Sequence, residues 1–290
     1  MELNNSATMT EAGSDRLRTK IEEIGSGCEL GIAFFDYQTQ SKWSYQGDRW
    51  FHAASTIKAA VLLALFKAIE EGRFSLDSRL HVRNRFLSAV DGEPYRISAD
   101  RDADSKVHSA LGKTMRLGDL ALQMIVTSSN LATNLLVDLI GIREAQQSIS
   151  ALGCPGIELL RGVEDRKAFD TNIINRVTAE GLLELFRAIY EQRNLSSESA
   201  QRMLEILNQQ EFNSGIPAGL PTSIREQCRV AHKTGDISRV AHDAGLVFLP
   251  NRKPYALAIL TEAGAENSTK QEKVARISEV IYQHLISDGE

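Results

Sequence analysis

The sequence predicts an α/β fold of the α+β kind: one antiparallel sheet, built from strands at both ends of the chain and packed with helices, plus a helical lobe from the middle. Three observations carry this. Apolar and alternating strand patterns cluster at 29–48 and again at 227–262. Helical periodicity fills the stretch between them. One helix, from Ser55 to about Glu71, is apolar on every side over Ala59-Ala60-Val61-Leu62-Leu63-Ala64-Leu65-Phe66, and a helix apolar all round is buried all round. A single sheet with helices layered against it is the economical way to bury both patterns.

In chain order, residues 1–13 are polar and expected to be loose. From Ser14, DRLRTKIEEIG reads as a helix closing at Gly25. ELGIAFFDY (29–37) and KWSYQGD (42–48) read as two strands joined by a short turn. The apolar central helix follows and stops at Gly72. Residues 84–113 are polar, charged and irregular. Helical patterns return at 117–126, 131–140, 142–151, 178–191 and 197–209. Pro217 and Pro221 mark a loop, strands are expected at 227–234, 243–249 and 254–262, and a last helix at 269–287. No internal repeat is present. The expected organisation is a flexible segment 1–13 and a single domain 14–290. Its α/β lobe takes 14–54 and 212–290, its helical lobe takes 55–211, and the crevice between them is the expected site.

The chain has 290 residues, 42% hydrophobic and 24% charged, the composition of an ordinary globule. Its 33 basic and 38 acidic side chains leave a net charge of −5 and no Lys/Arg block, so a nucleic-acid partner has no electrostatic basis. A small anionic substrate would meet local positive charge, not a global field. Cys28, Cys154 and Cys228 are scattered; they read as small buried thiols, leave one disulfide open, and form no zinc-binding pattern. Neither a metal nor a cofactor is expected. The start MELNNSATMTEAGSDRLRTK lacks a basic stretch followed by an apolar one, and the longest apolar run, Ala59 to Phe66, is too short to cross a bilayer. The expectation is a cytoplasmic monomer with no membrane partner, or a periplasmic or secreted one if an export signal has been trimmed.

Three short motifs carry chemistry. In Ser55-Thr56-Ile57-Lys58 the hydroxyl and the amine lie one helical turn apart on one face. A serine hydroxyl is a weak nucleophile until a neighbouring base takes its proton, and an amine serves when burial depresses its pKa. Lys58 opens an all-apolar helix, where a charge needs a reason. Ser128-Ser129-Asn130 falls between two helical stretches and offers a proton-relaying hydroxyl and an amide that can orient a carbonyl. Lys233-Thr234-Gly235 ends the strand CRVAHKTG and offers a cation, a hydroxyl and room for close backbone approach. Each alone has an ordinary structural explanation, as a helix cap or a strand end.

Together, in the order SxxK, SxN, KTG, they form the motif set of class A β-lactamases and penicillin-binding proteins. From about residue 15 to 287 the chain resembles that family. MIVTSSNLATNLLVDLIG is similar to its SDN region, and KTG followed by HDAGLVFLP is similar to its paired strands. The resemblance implies a β-lactam or related acyl-amide as the small-molecule substrate. Ser55 is then acylated, Lys58 belongs to the proton path, Ser128 delivers a proton to the leaving nitrogen, and Asn130 binds the substrate amide. Lys233 and Thr234 hold the substrate carboxylate beside Gly235, and the oxyanion donors are the backbone N–H groups of Ser55 and Asp236. Glu164, 34 residues past Asn130 and preceded by Arg161, stands about where the family keeps the base that deacylates the enzyme.

Departures from the pattern are equally visible. The family's ExxLN is replaced by Glu164-Asp165-Arg166-Lys167-Ala168. SDN is SSN, which loses a carboxylate beside the site. Asp236 follows KTG where a small neutral residue is usual. The strand arginine that often helps bind the carboxylate is missing, with Arg239 the nearby substitute. The alternatives the resemblance leaves open are a D-Ala-D-Ala peptidase, esterase or amidase, a glutaminase, which shares the fold and an SxxK, and a penicillin-binding sensor that stays acylated. Asp100-Arg101-Asp102-Ala103-Asp104 imitates the start of a calcium loop but lacks its Gly and final Glu. His242-Asp243 has no GxSxG elbow, and neighbours on a strand point to opposite faces.

Overall fold

The structure, a computed structural model, describes residues 11–263 and 269–287. Five strands, Cys28–Asp36, Ser41–Tyr45, Arg229–Ile237, Val240–Phe248 and Tyr255–Ala263, form one antiparallel sheet. Cys28–Asp36 lies between Ser41–Tyr45 and Tyr255–Ala263; Val240–Phe248 follows, and Arg229–Ile237 takes the far edge. The two chain ends are zipped together in register, Cys28 opposite Ala263 and Asp36 opposite Tyr255. The expected architecture is the observed one.

The strands are covered on both faces, which explains why their apolar runs are nearly continuous. Along the first strand, Ala33 and Phe35 join the core shared with the helical lobe. Ile32 and Phe34 join a second core with Leu17 and Ile21 of the Glu11–Ile24 helix and Ile277 and Ile281 of the Lys270–Ser287 helix. The first helix begins at Glu11, so residues 11–13, expected to be part of a loose leader, are helical; the remainder of that expectation, residues 1–10, lies outside the described residues. Strand ends also shift: the edge strand runs on to Ile237 and the next begins at Val240, joined by a tight turn that places Arg239 outside both.

The central helix, Ile57–Glu70, is buried from Ile57 through Phe66. It stops where Gly72 turns into the left-handed region at φ 74°, a conformation glycine adopts without steric cost. Helices Leu117–Val126, Asn130–Ile140, Ile142–Ala151, Ala179–Tyr190 and Ser197–Leu207 surround it. Thr178 and Ser196 cap the last two by accepting from the backbone N–H of Gly181 and Ser199. Phe66 is 2% exposed in this packing. Truncating it leaves a cavity among side chains that cannot all relax, so Phe66→Ala is expected to lower the unfolding free energy by about 3–5 kcal/mol. Urea titration followed by circular dichroism checks this, and a loss below about 1 kcal/mol would mean that the helix is not the centre of the core. All three cysteines are free; Cys154 is buried, whereas Cys28 and Cys228 are only half-buried.

Candidate active site

The chain enters the central helix through a 3-10 turn, Ala54–Thr56, and the α-helix proper starts at Ile57. Ser55 therefore sits on a turn rather than on the first helical turn that the sequence suggested. The cause is Ala54, held at φ 46°, which bends the chain before the helix begins. A residue with a Cβ in this region is uncommon and costs of order 1–3 kcal/mol. Ser128, at φ 59°, and Glu164, at φ 58°, share the same strained conformation. All three lie at or beside residues expected to carry chemistry, where stored strain is spent on aiming side chains.

Lys58 is fully buried at the start of the apolar helix. Its three ammonium protons are committed: Nζ donates to Ser128 O at 2.6 Å, Ser128 Oγ at 3.1 Å and Asn130 Oδ1 at 2.8 Å. The first two motifs are thus brought together by one cation. Burial pushes the Lys58 pKa down to about 7, against the opposing pull of Asp102 and Glu164. An amine in that range is neutral often enough at neutral pH to accept a proton.

The edge strand supplies the opposite wall. A Cβ at Gly235 would sit 3.1 Å from both Ala54 Cβ and Thr56 Cγ2 and 3.2 Å from Ala53 O. The glycine lets the strand lie against the turn that carries Ser55, so the close approach anticipated there is first of all between two parts of the protein. Lys233 is buried behind this wall, with Nζ donating to Thr234 O at 3.1 Å. Burial and the neighbouring charge of Lys58 hold its pKa well below the ordinary lysine value, with Asp243 opposing. Asp236 is exposed, and its carboxylate is engaged by Lys270 Nζ at 2.6 Å and by Gln271 Nε2. The acid that looks out of place after KTG is therefore paired with the C-terminal helix.

Ser55, Asn130, Arg101 and Asp236 line two adjoining cavities of about 350 Å³ each, which form one cleft with Ser55 at the junction. Ser128, Thr234 and Gly235 line the first cavity, and His52, Arg161, Glu164 and Phe169 the second. Arg239 lines neither; it is exposed on the turn and its Nε donates to Ala263 O at 3.0 Å. The proposed substitute for the missing strand arginine is therefore corrected: the turn carries it away from the cleft. The exposed cations that do border the cleft are Arg101, at both cavities, and Arg166, at the second; the sequence singled out neither for this role.

Glu164 faces the second cavity with its side chain about one-third exposed, paired with Arg101 Nη2 at 3.3 Å. Its position is fixed from behind by Asn134, whose Nδ2 donates to Val163 O at 2.9 Å and whose Oδ1 accepts from Val163 N at 2.7 Å. Asn175 does the same for the start of the loop, accepting from Leu160 N and Arg161 N. Two other acids of this region have partners of their own. Asp165 is buried, capping Ala168 N and binding Ser88 Oγ and Ala89 N. Glu158 pairs with Arg176 and lines neither cavity of the cleft.

The acidic run 100–104 is explained by capping. Asp104 accepts from Lys106 N and Val107 N, and Asp102 accepts from Asn130 N and Leu131 N, each at 2.9 Å. His242 and Asp243 point apart, as strand geometry requires. His242 Nδ1 accepts from Thr261 N and Nε2 faces His52 O, while Asp243 Oδ1 lies 2.7 Å from His232 Nδ1. Burial holds the pKa values of His52 and His242 at about 4, so both are neutral at physiological pH. The cleft gathers a hydroxyl at the junction of two cavities, a buried amine at the start of the following helix, and a carboxylate lining the second cavity.

A model of the beta-lactamase enzyme family matches residues 16–285. Among curated relatives, the β-lactamase VEB-1 of Pseudomonas aeruginosa is 22% identical over 96% of this chain and 93% of its own length. The β-lactamase ROB-1 of Haemophilus influenzae is 26% identical over 84% of this chain and 75% of its own. Among solved structures, a variant of PBP-A captured as an acyl-enzyme with penicillin G superposes with a TM-score of 0.82, at 27% identity over 98% of this chain and all of that one.

Proposed function

Because the chain belongs to the β-lactamase enzyme family, we propose that it is a serine hydrolase that opens the β-lactam amide through an acyl-enzyme on Ser55. The observation that carries this reading is the buried, fully coordinated Lys58 behind the serine turn, with its pKa lowered to about 7. In the proposed sequence, Ser55 Oγ attacks the ring carbonyl and its proton passes to neutral Lys58. The tetrahedral oxyanion is met by the N–H groups of Ser55 and Asp236. As the C–N bond breaks, Ser128 hands its proton to the ring nitrogen and is reprotonated from Lys58, whose ammonium it already accepts from at 3.1 Å. Water activated by Glu164 then attacks the ester, Ser55 leaves with a proton, and the opened acid departs.

The test is turnover of a chromogenic cephalosporin alongside hydrolysis of a D-Ala-D-Ala peptide, with intact-mass detection of the acyl-enzyme. Turnover of the cephalosporin with little action on the peptide supports the reading; peptide hydrolysis alone overturns it. A second reading, a penicillin-binding enzyme that acylates and releases slowly, is favoured by one observation: Glu164 is paired with Arg101. The likeness to a PBP-A variant solved as a penicillin acyl-enzyme is consistent with it. A stoichiometric burst followed by negligible turnover distinguishes it.

Lys233 is proposed to attract the substrate carboxylate through the wall formed by Thr234. A charge-assisted contact of this kind contributes roughly 1.5–3 kcal/mol. Lys233→Ala is expected to reduce kcat/KM for anionic β-lactams by about 10–100-fold, mostly through KM. If kinetics are unchanged, the carboxylate is bound by Arg101, and the corresponding arginine variant is the next measurement.

A further inference from the structure

One buried carboxylate beside the cleft has no part in the proposed reaction. The Asp102 side chain has no exposed surface. Its Oδ1 accepts from Asn130 N at 2.9 Å; its Oδ2 accepts from Leu131 N at 2.9 Å and Ser129 Oγ at 3.3 Å, and faces His108 Nε2 at 3.1 Å. The donors come from the N-terminus of the Asn130–Ile140 helix, so a residue 28 positions upstream in the chain caps it, in addition to the cap that Ser129 provides at Ala132 N. The next residue in the relay is Asn130, whose Oδ1 accepts from Lys58. Arg101, adjacent to Asp102, contributes its carbonyl to Asn130 Nδ2 at 3.4 Å. Asp102 therefore grips the backbone of the residue that grips Lys58.

We infer that Asp102 is a positioning residue of this site: its carboxylate stands in for the one missing at Ser129, holds the Ser128–Asn130 segment in place, and supplies the negative charge that keeps the Lys58 ammonium against it. Charge supports the geometry. The groups acting on Lys58 are Asp102, the stronger, and Glu164, and Glu164 is shared with Arg101. Lys233 is the facing like charge, and His108 faces Asp102 from the Ser105–Ser109 helix. A cap lost without the charge would loosen the segment; the charge lost without the cap would change the protonation of Lys58. The two effects are separable.

The experiment uses Asp102→Asn, and Asp102→Asn combined with Ser129→Asp, in the full chain. An aspartate at 129 can still cap Ala132 N while returning a carboxylate to the same helix terminus. The readout is the titration midpoint of Lys58, followed by lysine side-chain NMR without substrate. Losing a facing carboxylate disfavours the ammonium, so the midpoint is expected to fall by about one pH unit in the single variant and to return towards the wild-type value in the double one. An unchanged midpoint in folded D102N overturns the inference. If D102N does not fold, the double variant decides: a folded protein with a wild-type midpoint supports the inference, and one that does not fold or titrates elsewhere overturns it.

A kinetic arm rests on the hydrolase reading. The rate of labelling by a fluorescent penicillin should rise with pH as Lys58 loses its proton, and this limb should move to lower pH in D102N; a purely structural role would lower the rate without moving the limb. If wild-type protein is not labelled while the NMR midpoint still moves, the hydrolase reading fails and the role of Asp102 stands.

Discussion

Ser55→Ala is expected to abolish covalent labelling by penicillin and to reduce turnover of a β-lactam by on the order of 10⁴–10⁶-fold. The reasoning is geometric. Ser55 lies at the junction of the two cavities, in the middle of a turn strained at Ala54 and closely approached by Gly235 of the edge strand. Ser128 also brings a hydroxyl to the cleft, but it already accepts from Lys58 Nζ and so stands on the side of proton delivery. Nucleophile and relay are different jobs, and the second cannot replace the first without a free base. Intact-mass spectrometry after exposure to penicillin checks this. An adduct of one penicillin on the alanine variant would assign the nucleophile to Ser128 and reverse the roles. Purified variant should retain the wild-type melting temperature, because Ser55 is half-buried and no packed core group is removed.

The second large effect concerns Glu164. Water is a poor nucleophile toward an ester at neutral pH, and a positioned carboxylate contributes about 10²–10⁴-fold. Glu164→Gln keeps the shape and removes the basicity. Acylation is expected to survive while deacylation slows by roughly that factor, so the acyl-enzyme accumulates and is seen by rapid mixing and mass spectrometry. The same substitution removes one of the two carboxylates that act on Lys58, so the pH limb of acylation should also shift downwards, which a neutral surface residue would not cause. Wild-type turnover in the glutamine variant would reduce Glu164 to a partner of Arg101. Asp165 would not then inherit the role, since its oxygens are already filled by Ser88, Ala89 and Ala168.

Much of this was legible in the sequence, and the remainder was hidden for identifiable reasons. The sheet could be read because its strands are apolar runs with defined ends, and the central helix because eight apolar residues in a row admit few alternatives. Ser55, Lys58, Ser128, Asn130, Thr234, Gly235 and Asp236 could be singled out because short motifs keep their spacing when the rest of a sequence drifts. What could not be read depends on contacts between distant segments. Asp102 caps a helix that begins 28 residues later, Lys270 neutralises Asp236 from the last helix, and Asn134 holds the loop before Glu164. No period or motif marks these pairings. Arg239 was misread for a related reason: proximity in the chain suggested proximity to the cleft, whereas the tight turn between the edge strand and its neighbour points it to solvent. The acidic run at 100–104 was a visible signal, and its meaning, two helix caps, needed the third dimension.

The pairing of the first long strand with the last has a consequence for biosynthesis. Cys28 lies opposite Ala263, a separation of 235 residues (263 − 28). At the usual pace of translation, about 5–20 residues per second, that partner emerges roughly 10–50 s after the strand it must join. Until then Cys28–Asp36 has only the short Ser41–Tyr45 hairpin arm beside it, leaving an apolar edge open to other nascent chains. The strand carrying Lys233 reaches the sheet only through Val240–Phe248 and Tyr255–Ala263. The helical lobe can therefore collapse while the ribosome is still at work, but the cleft is assembled last, and nascent chains held by a chaperone should carry the nucleophile long before they can be acylated.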